Sequence, residues 1–252
     1  MNGNKRRKLG GHPKAIPGNG PKRQDAFTRV ELLVVLLALA GLVCVALPAL
    51  GATAARSRLA QCFNNLRVTG NGFHQWAVGA NDRFPWLLNT ADGGTQNSPF
   101  VANAWIHFSV LSNHLDPRVL VCPSDYAKKI APDFNGPAGF MKLGQRDLTL
   151  SYFMGSDAST ALPRQILCGD RNLTTSGTET CGVIGAIAQA LNSGDSTIRW
   201  TNLHGATGNL LFVDGSVSTS TSQGLRSAIS HTGDANANNH ILLPRLPAIV
   251  PE

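Results

Sequence analysis

His204 and the pair Asp214-Gly215 have nine residues between them, and an imidazole with a carboxylate is the minimum of a general-base dyad. Gly194-Asp195-Ser196 adds a hydroxyl that a hydrolase would use as its nucleophile. No G-x-S-x-G or H-E-x-x-H spacing accompanies either. Asp before Gly is the ordinary choice for a tight turn, and a histidine ahead of a strand ordinarily hydrogen-bonds its own loop. Both are therefore read as structural, His204, Asp214 and Gly215 as parts of a folded hairpin, and the chain as no enzyme.

A second set of chemistry-bearing residues lies in "DANANN", where Asp234, Asn236 and Asn238 offer oxygen ligands at alternate positions, as a calcium loop opens. Asn239 stands where an EF-hand requires Gly, and Arg245 where it requires its closing Glu. The match is half a motif, and calcium is the one cofactor it raises. Phosphate-binding loops and aromatic-basic nucleic-acid patches are absent from the sequence.

Five cysteines complete the inventory. Cys44 lies in an apolar run and reads as a small filler. Cys62, Cys122, Cys168 and Cys181 allow three pairings. Cys168 and Cys181 flank "GDRNLTTSGTET" and are the nearest in sequence, so they are the expected pair; Cys62 with Cys122 would then tie helix to sheet.

Glu31 is the one charge at the head of an apolar stretch that is otherwise uncharged over residues 32–55. As a helix at about 1.5 Å per residue, that run is long enough for a bilayer core of about 30 Å. Pro48 inside it removes one helical hydrogen bond and is expected to kink or weaken the last turns. Of the formal charge of +7, residues 1–26 carry +6, from Lys5, Arg6, Arg7, Lys8, Lys14, Lys22 and Arg23 against Asp25. This Gly/Pro/Asn-rich leader reads as a cytoplasmic topology signal, not a nucleic-acid patch, and puts everything after Arg56 outside the cytoplasm. Three readings fit this N-terminus: a secretory signal cut after Ala54, an uncleaved anchor with Glu31 at the headgroups, or a segment in which the glutamate has a task.

The stretch "AFTRVELLVVLLALAGLVCVALPAL" resembles the N-terminal segment of type IV prepilins and type II secretion pseudopilins. That family has a basic leader, a cut before Phe, a Glu at the fifth mature position and a long apolar helix carrying a proline. Two positions depart from the pattern: Ala26 stands where the family prefers Gly, and Arg29 where it has an apolar residue. The resemblance implies that prepilin peptidase cuts between Ala26 and Phe27 and methylates the new amine. It also implies that Glu31 pairs with a neighbouring subunit's amine during assembly, with Pro48 in the assembly helix. Further on, "QCFNNLRVTGNGFHQWA", "VCPSD", "SYF", "GDRN" and "HGATGNLLFVDGSV" resemble segments of prepilin-like proteins named for an H-X9-DG element, here His204 to Gly215.

The elements that must position these residues follow from periodicity. Leu59, Cys62, Leu66, Phe73 and Ala77 form an apolar stripe at helical spacing, with Gly70 and Gly72 weakening the helix locally. The helix should end near Asn81-Asp82. From Trp86 on, "RVLVCPSD", "LTLSYFMG" and "RQILCGDRN" read as strands, "GVIGAIAQAL" as a short helix, and "GNLLFVDGSVSTS" as a hairpin with a two-residue type I′ turn at Asp214-Gly215.

The resulting expectation is an α+β fold in which a long N-terminal helix, its first half transmembrane and its second half amphipathic, packs on an antiparallel β-rich head. Its parts are a leader (residues 1–26, removed), a helix (27–80) and a head (81–252) carrying the H-X9-DG element at 204–215. The function implied by the resemblance is a pseudopilin-like subunit of a type II secretion or type IV pilus-like assembly. Its partners would be prepilin peptidase, other pilin or pseudopilin subunits and an inner-membrane platform. Its place would be the bacterial inner membrane, single-pass, with a cytoplasmic N-terminus and a periplasmic head, or a cell-surface filament. The rival is a membrane-tethered periplasmic or surface module that binds a ligand and joins no filament.

Overall fold

Thr28 opens the first helix, α1 (Arg29–Val78), and caps it. Its Oγ1 accepts from Glu31 N at 3.2 Å, while Glu31 Oε2 accepts from Thr28 N at 2.9 Å. This reciprocal pair is a capping box, which satisfies two of the donors every helix start leaves open. The computed structural model describes residues 28–201, 203–232 and 238–245. The chain divides into two compact units, Met1–Ala49 and Leu50–Glu252, and α1 contributes to both.

In the first unit, the described residues are helical and their apolar side chains are exposed on every side, from Val30 through Leu32, Leu36 and Leu39 to Val43. The expectation of a long helix with a transmembrane first half is corrected here. Among the described residues, no helix is long and apolar enough to cross a membrane. Placement as a single-pass inner-membrane protein with a periplasmic head loses its support with it. Pro48 lies within α1, with its side chain outside those described.

In the second unit, α1 buries Cys62, Leu66, Thr69, Phe73 and Ala77, spaced by three or four residues on one face. Gly70 faces the sheet so closely that a Cβ there would sit 2.9 Å from Leu211 Cδ1, so its low helix propensity is exchanged for close packing. Phe73 anchors an aromatic cluster, with ring centroids 5.4 Å from both Trp86 and Phe108.

Residues 85–149 hold no strand, which corrects the expectation of β structure from Trp86 on. They form short 3-10 turns and the helix α2 (Ala104–Ser109); Pro117–Leu120, which overlaps the start of the expected strand "RVLVCPSD", is one such turn, capped by Asp116. His107 of α2 is fully buried between Thr95 Oγ1 (2.7 Å) and Val101 O (2.9 Å), and burial pulls its pKa down to about 4.

The sheet starts at β1 (Tyr152–Gly155) and continues with β2 (Ile166–Asp170), β4 (Gly177–Thr180), β5 (Ile187–Asn192), β7 (Thr207–Phe212), β8 (Val217–Thr221) and β9 (Asn238–Leu242). The order is β4-β5-β9-β1-β2-β7-β8, every pair antiparallel, while β3 (Leu173–Thr174) and β6 (Arg199–Trp200) form a separate ribbon. "GVIGAIAQAL" is thus a turn leading into β5, not a helix; Ile187, Gln189 and Leu191 alternate with Ala188 and Ala190 at strand period. Alternation also builds two cores: Tyr152, Met154 and Leu211 join the α1 side. Phe153, Leu210 and Ile241 face the opposite way and meet Leu225 and Ile229 of α3 (Ser222–Ser230).

Candidate functional site

The three segments "VCPSD", "GDRN" and "HGATGN" converge where α1 meets the sheet. Cys122 bonds Cys62 of α1 through a disulfide (Cα–Cα 5.0 Å), and Asn65, one turn further along α1, donates Nδ2 to Val121 O at 3.0 Å. Asp125 takes a two-pronged contact from Arg171, Nε and Nη2 each at 2.6 Å. Every residue of "GDRN" has a structural partner. Gly169 leaves room for the Phe153 ring, since a Cβ there would meet it at 2.5 Å. Asp170 Oδ2 accepts from Asn209 N (2.7 Å) and Nδ2 (2.9 Å). Asn172 Nδ2 donates to Thr201 O and Thr207 O at 2.8 and 3.0 Å.

His204 closes this joint from above. Its loop turns through two consecutive left-handed residues, Gly205 and Ala206 (both φ 65°), a geometry that disfavours any side chain at the second position. Thr207 Oγ1 donates to His204 O at 2.6 Å and fixes the bend. The imidazole is thereby directed inward, with Nε2 3.3 Å from Cys122 Sγ and 3.5 Å from Asp170 Oδ2. Burial lowers the His204 pKa, favouring the neutral ring. Burial likewise raises Asp170 to about 7 against the two bonds from Asn209, and among the described residues its Oδ1 has no hydrogen-bond partner. Cys62, Cys122 and His204 could hold a metal by distance alone, but both sulfurs are joined and offer no thiolate.

Asp214 belongs elsewhere. β7 lies between it and His204, so the residues stand about 20 Å apart at opposite ends of a strand and form no dyad. The expected type I′ turn is also corrected. Gly215 N donates to Phe212 O, Phe212 N to Ser216 O, and Gly215 alone has positive φ (81°), so three residues connect the strands. This is a tight turn closed by a glycine bulge. Asp214 Oδ1 accepts from Ser216 N at 2.8 Å, and Asp214 N donates to Pro163 O, pinning the turn to the chain ahead of β2. Asp195 of "GDS" similarly caps its own loop through Thr197 N at 2.8 Å.

The expected Cys168–Cys181 bond is absent: both are buried free thiols. Cys168 lies in β2 and Cys181 follows β4, four strand positions away, which is about 19 Å and far beyond disulfide reach. Ala26 and Phe27 lie outside the described residues, as do Asp234 and Asn236, while Asn238 starts β9 with its side chain outside those described. Glu31 is exposed at the head of α1, its pKa lowered by the bonds from Thr28. What the sequence did not single out is Asp170, Asn209 and Arg171. "GDRN" was legible as a motif, yet its partners come from 39 and 46 residues away.

No family model matches the chain, and no curated protein or solved structure matches it.

Proposed function

We propose that this chain is a pseudopilin-like structural subunit of a type II secretion or type IV pilus-like assembly, matured by prepilin peptidase between Ala26 and Phe27. The observation that carries this reading is the exposed apolar helix of the first unit: Val30, Leu32, Leu33, Leu36, Leu37, Leu39 and Leu42 are each more than half exposed and lie on all sides of α1. A helix that is apolar all round requires cover on all sides. Helices of neighbouring copies supply it, and Glu31 at its head accepts a neighbour's terminal amine. The buried joint around His204 then ties the assembly helix to the sheet through a covalent bond and three hydrogen-bonded segments, a load path rather than a reaction centre.

The experiment is incorporation. Tagged wild-type and Glu31→Ala chains are expressed in the native host, and sheared or pelleted polymers are separated from free subunits. Assembly predicts wild-type chain in the polymer fraction and Glu31→Ala confined to the free fraction. Equal distribution of the two would defeat the reading.

A further inference from the structure

Cys181, left over once Cys62 and Cys122 are joined, is fully buried just beyond β4. Three distant segments meet around it. Its Sγ lies 3.2 Å from Asp157 Oδ1, in the turn after β1, and Asp157 Oδ2 lies 2.8 Å from His240 Nδ1 on β9. One ligand atom from each of Asp157, Cys181 and His240 lies within 4.8 Å of the other two. Behind the imidazole, Glu179 Oε2 stands 3.6 Å from His240 Nε2.

Strand register explains how these groups meet. Glu179 pairs with Ala188, and Ala190 pairs with His240, so the four share one face of the sheet. β4 and β9 are separated by β5, hence by about 10 Å, and the two β5 residues between them on that face are alanines. A larger residue at 188 or 190 would fill the space through which Glu179 reaches His240. The positions are also fixed in advance. Cys181 N donates to Ala186 O (3.0 Å) and its O accepts from Gly185 N (2.8 Å). Ser156 N and Oγ both donate to His240 O, at 2.9 and 3.1 Å.

This is not the arrangement of a thiol nucleophile, since the sulfur's proton is directed at a carboxylate, a base too weak to generate thiolate. Two carboxylates and a thiol instead surround one imidazole, whose Nε2 is buried and, among the described residues, has no hydrogen-bond partner. Asp157 Oδ2 also accepts from His240 N at 2.7 Å, which fixes the carboxylate to β9, and a cation among the three ligand atoms would take the place of the thiol and ring protons that these contacts require. With a metal on Nδ1, the ring carries its proton on Nε2 and presents it to Glu179, the carboxylate support that metal-bound histidines have.

The geometry points to a divalent transition-metal site, zinc by its donor chemistry, formed by Cys181 Sγ, His240 Nδ1 and Asp157, with Glu179 orienting the imidazole from behind. One thiolate, one imidazole and one carboxylate make a zinc set of three protein ligands that leaves a fourth position for water. Calcium, which takes six to eight oxygens, is excluded by the same set. On binding, the Cys181 proton is released to solvent.

The test is titration of the metal-free full chain with cobalt(II) and zinc, in a Cys44→Ser background that removes the exposed thiol. The expected result is one equivalent bound with a sulfur-to-cobalt charge-transfer band, bleached by zinc and untouched by calcium. Cys181→Ser should abolish the band. Glu179→Gln, at a half-exposed side chain where folding is not at stake, should weaken binding roughly ten- to hundredfold while keeping the band. Absence of the band in the parent chain, its persistence in Cys181→Ser, or unchanged affinity in Glu179→Gln would overturn the assignment.

Discussion

His204 and Asp214 mark the two ends of β7: the imidazole is buried against the Cys62–Cys122 disulfide, and the carboxylate caps the turn into β8. The nine residues between them are the length of a strand with its lead-in and exit, so the spacing measures a structural unit. Loss of either end should therefore appear as lost stability. Replacing Gly215 by Val puts a β-branched residue at φ 81° and should cost more than about 1 kcal/mol. His204→Ala removes a buried ring and should cost about 2 kcal/mol. Denaturant unfolding of both variants checks this; an unchanged midpoint in either contradicts it.

The disulfide closes a sequence separation of 60 residues between α1 and the segment before Asp125. Cys62→Ser with Cys122→Ser should lower stability by about 4 kcal/mol on the chain-entropy estimate. Urea midpoints of the double variant and of the oxidised parent measure it. A Cys168→Ser variant should leave the cross-link intact, which non-reducing peptide mapping verifies.

Asp170 gives a pH signature. Its folded pKa, about 7, lies above the ordinary carboxylate value, so between about pH 4 and 7 the folded state holds a proton the unfolded state has released. Its contribution to stability is full below that window and lost as pH rises through it. Asp170→Asn keeps an oxygen for Asn209 and removes the titration. The stability of Asp170→Asn relative to wild type should rise by a few kcal/mol from pH 4 to pH 8; a difference independent of pH refutes the buried-acid assignment.

Gly70 tests the contact between α1 and the sheet. Ala at this position would gain helix propensity but would already place its Cβ 2.9 Å from the fully buried Leu211, and Val, with two further methyl groups at that contact, should destabilise by about 1–3 kcal/mol. A thermal melt of Gly70→Val no lower than that of wild type would contradict the close approach.

The sequence made some of this visible and concealed the rest for physical reasons. Periodicity marks the burial of Cys62, Leu66, Phe73 and Ala77, because a helix repeats its face every three or four residues. Alternation likewise marks β7 and β8. The short helices before Tyr152 carry no periodicity long enough to distinguish them from strands. Nearness in sequence misled for Cys168 and Cys181, because an antiparallel sheet can place neighbouring segments on strands far apart. The sequence reading of Glu31, a charge in apolar surroundings that by resemblance pairs with a neighbour's amine, passes over its local partner, although Thr28 three residues earlier spells a capping box. Asp157, Glu179 and His240 share no motif; only the register across β5 brings them to Cys181.

The most direct test of the assembly reading is the intact mass of the mature protein isolated from the organism that encodes it. The account predicts a chain that begins at Phe27 and carries one methyl group on its terminal amine. A chain beginning at Met1, or one beginning at Ala55, would contradict it.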